Sequence, residues 1–84
     1  MGVPLYIETI YGHLRMEIPN TLITISEMKG LLALLAGFEA GKEAERRIVL
    51  VAPDRRWVMA EGDRALSDHG VVHSSCILAY WSHY

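Results

Sequence analysis

Eighty-four residues with eight basic and ten acidic side chains carry a net charge of −2, which offers no basic excess for nucleic acid or an anionic membrane. Half of the chain is apolar (51%), enough for one core and too much for a disordered chain, and the length bounds it to a single domain over 1–84. The single cysteine, Cys76, excludes an internal disulfide, and the longest near-apolar run, Leu31 to Phe38, falls far short of the roughly 20 residues that span a bilayer.

Met1-Gly2-Val3-Pro4 shows no basic stretch leading into an apolar core, so no signal peptide is visible and cytoplasmic or nuclear residence is expected. Leu5 and Ile7 alternate with Tyr6, Glu8 and Ile10. After Tyr11-Gly12-His13 the alternation resumes, with Leu14, Met16 and Ile18 against Arg15 and Glu17. Period-two runs on either side of a glycine turn predict a β-hairpin, which Pro19-Asn20 ends. Thr24-Ile25-Ser26-Glu27 has the form of a capping box, in which the hydroxyl accepts from an amide three residues on and the carboxylate reaches back. Ile25, Met28, Leu31, Leu32 and Leu35 follow at helical spacing and predict one buried helix face. Gly30 inside this helix costs about 1 kcal/mol relative to alanine, which predicts a close approach there. Gly37 and Gly41 are candidate stops, and Lys42 to Arg47 reads as a polar connector.

Ile48-Val49-Leu50-Val51-Ala52 is a β-branched run and predicts a strand. Pro53-Asp54 opens a turn, and Trp57-Val58-Met59 predicts a further short strand with Trp57 packed into the core. Leu66-Ser67-Asp68 leads into a tight loop at Gly70, and Cys76 to Trp81 predicts the last strand, with Cys76 a small buried residue at its start. The predicted fold is α+β: a mixed five-stranded sheet in ββαβββ order, first and last strands side by side, one face covered by the helix.

At this point the chain resembles ubiquitin and its relatives, the β-grasp family, over nearly its whole length. The Gly12 hairpin resembles the first turn of ubiquitin. Thr24-Ile25-Ser26-Glu27-Met28-Lys29 resembles the start of its helix, Arg47-Ile48-Val49-Leu50 its third strand, and Leu66-Ser67-Asp68-His69-Gly70-Val71 the loop before its last strand. One departure stands out. Conjugated members and sulfur carriers have a thin tail ending in Gly-Gly, whereas here Tyr80-Trp81-Ser82-His83-Tyr84 follows the last strand. The expectation is a member that is not conjugated. Lys29 and Lys42 are few for chain assembly through lysines, a difference read as ordinary composition drift.

The resemblance places Leu5, Ile7, Leu14, Met16, Ile18, Ile48, Leu50, Ile77, Ala79 and Trp81 toward the helix. It places Tyr6, Val49, Val51, Leu78 and Tyr80 outward, with Val49, Leu78 and Tyr80 where ubiquitin carries its recognition patch. An outward face that met only water would be polar, and this one is mostly apolar. These residues are the candidate partner-binding site, and the expected partner is a protein. Tyrosine and valine are also good strand residues, and isolated apolar surface is normal. Arg46, Arg47, Arg55, Arg56 and Trp57 form a second candidate surface, read as a solvated turn rather than a nucleic-acid site.

Catalytic signals are sparse. His69, His73 and Cys76 are metal-ligand types in H-x3-H-x2-C spacing, with His13 or His83 needed as a fourth ligand. That spacing is no established zinc pattern, and no metal or cofactor is expected. Ser74, Ser75 and Cys76 lie near histidines, but a small two-layer domain offers no deep cleft, so no enzymatic activity is expected. Gly37-x3-Gly41 lacks the lysine-serine end and the preceding strand of a phosphate-binding loop. The functional expectation is a docking module for a partner's helix or loop. Two alternatives stand beside it: a small assembly component, as in bacterial type VII secretion systems, and an atypically processed modifier.

Overall fold

The computed structural model describes residues 2–37, 41–55 and 57–81. Strands β1 (Val3–Thr9) and β2 (Gly12–Ile18) form the predicted antiparallel hairpin, with Leu5 opposite Met16 and Ile7 opposite Leu14. The Thr9 hydroxyl closes the turn: it accepts from the Tyr11 amide at 3.0 Å and donates to the Gly12 carbonyl at 2.9 Å.

Helix α1 (Ile25–Ala36) starts at the capping box. Thr24 Oγ1 accepts from the Glu27 amide at 3.1 Å, and Glu27 Oε1 accepts from the Thr24 amide at 3.2 Å. The next orphan amides of the helix are met from a distant loop: Ile25 donates to the Arg64 carbonyl at 2.9 Å and Ser26 to the Gly62 carbonyl at 3.0 Å. Thr24→Ala removes only the side-chain half of this cap. It is expected to lower stability by about 1 kcal/mol, read as a shift of the urea midpoint at unchanged slope.

The buried residues of α1 are Ile25, Met28, Lys29, Leu32 and Ala33, the i, i+3, i+4, i+7, i+8 set of a single face. Leu31 and Leu35 lie off this face and are exposed, contrary to the sequence expectation, because that set excludes both positions. Gly37 ends the helix in the left-handed conformation (φ 86). Lys42 to Arg47, expected as a connector, forms the short helix α2 (Lys42–Arg47), and it buries Ala44 against the core.

Strands β3 (Val49–Val51) and β4 (Cys76–Tyr80) complete a mixed sheet of four strands in the order β2-β1-β4-β3, with β1 and β4 parallel in the centre. The fifth strand is a correction. Among the described residues, 57–59 make one isolated bridge, Val51 to Val58, held by Ala52 donating to the Trp57 carbonyl (2.9 Å) and Met59 to that of Leu50 (2.8 Å). The turn after β3, with Arg55 at φ 64, brings the chain back beside only the end of a short strand, so the ladder stops at once. Trp57 is 67% exposed rather than in the core, and Met59, two residues on, takes the buried place. Cys76 is half-buried rather than buried, opposite Tyr6 on the outward side.

Leu5, Ile7, Ile18, Leu50, Ile77 and Ala79 from the sheet meet Ile25, Met28, Leu32 and Ala33 from α1, and Leu66 and Val71 close the end of the core. Leu14, Met16 and Trp81 pack at its margin as partly buried residues. Leu66–His69 forms one turn of 3-10 helix that ends on Gly70 at φ 80, whose amide donates to the Ser67 carbonyl at 3.1 Å. Gly70→Ala forces a side chain into the left-handed region and is expected to cost about 1 kcal/mol, again checked by urea denaturation.

Candidate interaction surface

Inward and outward residues alternate along each strand, so packing one face under α1 leaves the other face free. The register then decides which outward side chains are neighbours. Tyr80 lies opposite Val49, and Leu78 lies between Val51 on β3 and Glu8 on β1. Val49, Val51, Leu78 and Tyr80 therefore form one compact block. Val49 is 39% exposed and Tyr80 45%, while Val51 and Leu78 are half-buried between their neighbours. Tyr6, 45% exposed, lies in the next row with Cys76 and Arg15, diagonal to Leu78. The structure thus brings four of the sequence-predicted residues together and sets the fifth at the margin.

Val58 belongs to this surface as well. It is 55% exposed and bridged to Val51, which extends the Leu78 row past β3. Sequence reasoning did not include it among the outward residues. The available signal was Met59: once an apolar residue of that size is inward, period two sends Val58 outward.

A polar rim bounds the block on the β1 side. Glu8 Oε1 lies 3.8 Å from His13 Nε2, and Glu8 Oε2 lies 3.5 Å from an Arg55 guanidinium nitrogen. Because β4 separates β3 from β1, Arg55 reaches across the sheet to make this contact. Exposed ion pairs of this kind contribute only about 0–1 kcal/mol, so their effect is to place charge at the edge of the patch.

The second candidate surface divides. Arg55 joins that rim, Arg56 lies outside the described residues, and Trp57 lines an open groove of about 370 Å³ with Val58, Glu61, Arg64 and His69. Arg64 Nε donates to Glu61 Oε2 at 2.9 Å. That hydrogen bond, the Glu61 charge and then Asp68 raise the guanidinium pKa above its ordinary value. Acidic neighbours therefore compensate this arginine.

His73 Nδ1 is 2.9 Å from the Ser74 hydroxyl, and His69 Nε2 is buried with no hydrogen-bond partner among the described residues. Among those residues no three histidine, cysteine or acidic side chains cluster as metal ligands, and His83 lies outside them. No described helix is long and apolar enough to cross a membrane.

A hairpin, a covering helix and a central parallel pair of first and last strands define the β-grasp fold, and the chain adopts it. It is similar to a ubiquitin-like domain of an Arabidopsis thaliana protein solved by NMR, at TM-score 0.77 and 16% identity over 99% of this chain and 80% of that one. It is equally similar to a β-grasp-like domain of a hypothetical Arabidopsis thaliana protein, at TM-score 0.77 and 17% identity over 98% of this chain and 83% of that one. No family model matches the chain, and no curated protein does.

Proposed function

We propose that this β-grasp domain is a non-covalent protein-interaction module. It seats the apolar side of a partner's helix or loop on Val49, Val51, Leu78 and Tyr80, with Tyr6 and Val58 extending the contact. The observation that carries this reading is the contiguity of the block: the register gathers apolar side chains from β3 and β4 into one patch on the face opposite the core. A scatter of strand residues facing water would not need such neighbours.

The rim supports the same reading. Interfaces combine an apolar centre with charged residues at the edge, and Glu8, His13 and Arg55 stand where such an edge would be. Tyr80 and Tyr6 are amphipathic anchors that bury ring area at little entropic cost while their hydroxyls remain able to hydrogen-bond. The activity proposed is binding, with no catalytic step.

The test is affinity capture with the immobilised chain, comparing native protein with Val49→Asp and identifying what is retained by mass spectrometry. Proteins held by the native chain should be lost from the variant while its circular dichroism stays native. A folded variant that retains the same proteins would remove the reading.

A further inference from the structure

Strand β2 forms one edge of the sheet, and no other strand lies beyond it among the described residues. The hydrogen-bond pattern fixes which backbone groups point out there. Tyr6 donates its amide to the Ser75 carbonyl at 2.9 Å, and the Pro4 carbonyl accepts from Ser74 at 2.8 Å. Pro4, Tyr6 and, by alternation, Glu8 therefore turn their backbone groups toward β4. Their register partners on β2 are Glu17, Arg15 and His13, so these three aim their N–H and C=O groups away from β1, out of the sheet. The opposite edge differs, because 57–59 lies against β3. Strand β2 is seven residues long, contains no proline and pairs with β1 without a bulge, so its backbone lacks the devices that blunt an edge.

We infer that this edge pairs with the β2 of a second copy, antiparallel, about a two-fold axis at Met16, joining two four-stranded sheets edge to edge. A row of outward donors and acceptors is answered by extended backbone, which makes the occupant a strand. Charge identifies which strand. The outward groups are used only when 13, 15 and 17 face one another, so the axis lies at Leu14, Arg15 or Met16. An axis at Leu14 sets Arg15 against His13 twice and leaves Glu17 opposite Tyr11. An axis at Arg15 brings His13 to Glu17 but sets two guanidinium groups against each other. An axis at Met16 sets each Arg15 opposite the Glu17 of the other copy, the arrangement that cross-strand charges favour.

Within one chain Arg15 Nη2 already lies 3.3 Å from Glu17 Oε1. Two copies in this register make a square of alternating charge, each group flanked by two of opposite sign. The stretch Arg15-Met16-Glu17 is thus its own complement when reversed, as an isologous contact requires. The undescribed stretches 38–40 and 82–84 read Phe-Glu-Ala and Ser-His-Tyr and carry no such pattern. On the other face of the strand the two half-buried Met16 side chains meet across the axis, and Leu14 lies opposite Ile18. A single seven-residue edge sets the contact at the small end of interfaces, below roughly 1,200 Å² in total, so the dimer is reversible and concentration-dependent.

Sedimentation of the native chain from micromolar to millimolar concentration tests this, with amide exchange measured over the same range. The average mass should rise from that of the monomer toward twice it, and exchange at the Arg15 and Glu17 amides should slow as it does. Arg15→Glu and Glu17→Arg should each weaken association at least tenfold with the circular dichroism unchanged, since both side chains are exposed. The two changes made together in one chain should restore association, because opposite charges again face each other across the axis. Val49→Asp should associate as the native chain does, which separates this contact from the sheet patch. A native chain that stays monomeric to millimolar concentration overturns the inference. So does an Arg15→Glu chain that associates like the native one, a doubly changed chain that stays dissociated, or a dimer whose Arg15 and Glu17 amides exchange as fast as in the monomer.

Discussion

Leu50→Ala is expected to lower the unfolding free energy by about 3 kcal/mol, within the span of roughly 2–5 kcal/mol for large-to-small core changes. For a domain of this size that is a fall in melting temperature of about 12–24 °C. Leu50 is fully buried at the centre of β3, and its register partner on β4 is Ala79. Its neighbour two residues on is Ala52, also buried, so towards Ala52 and across on β4 only small side chains are available to collapse into the cavity. The backbone there is fixed too, since the Leu50 carbonyl accepts from the Met59 amide at 2.8 Å. Thermal unfolding followed by circular dichroism measures the shift. A fall of less than about 4 °C would mean that the core closes around the missing methyl groups, contrary to this packing.

Val49→Asp, one residue away, is expected to do the reverse. The side chain points out of the opposite face beside Tyr80, with 39% of its surface exposed. An aspartate there keeps much of its hydration in the free protein, so the folding cost is bounded by strand preference at about 1 kcal/mol. Under a partner the same carboxylate would lose its water without a countercharge, at a cost of several kcal/mol. A loss of 3 kcal/mol is a little over a hundredfold in affinity. Titration calorimetry with a captured partner, set beside thermal unfolding, reads both quantities. The adjacent pair thus separates stability from binding: Leu50→Ala should lose stability and keep affinity at low temperature, and Val49→Asp should keep stability and lose affinity.

Features encoded over a few residues were legible without the structure. The Gly12 hairpin, the Thr24 capping box, the Gly37 stop and the Gly70 loop depend on φ/ψ preferences and hydrogen bonds between residues two to five apart. The inward and outward sets on β1, β3 and β4 came from the resemblance, and the outward candidates lie on the face where its register put them. Whether a partner docks on them is a separate question, which the Val49 comparison answers.

Long-range packing decided the rest. Leu31, Leu32, Leu34 and Leu35 are chemically alike, and a helix apolar on every side does not announce which stripe it buries. The sheet made that choice, by presenting Leu5, Ile7, Leu50 and Ile77 to the face that holds Ile25, Met28 and Leu32. The same holds for 57–59. Trp57 and Met59 fall on one side by period two, and only long-range packing settled that Met59 enters the core while Trp57 stays exposed. The sequence by itself determined the hairpin, the capped helix and the strands at Val49 and Cys76, because those rest on local properties of the chain. Tertiary structure alone determined which apolar faces remain open, because exposure is what is left after distant segments have packed.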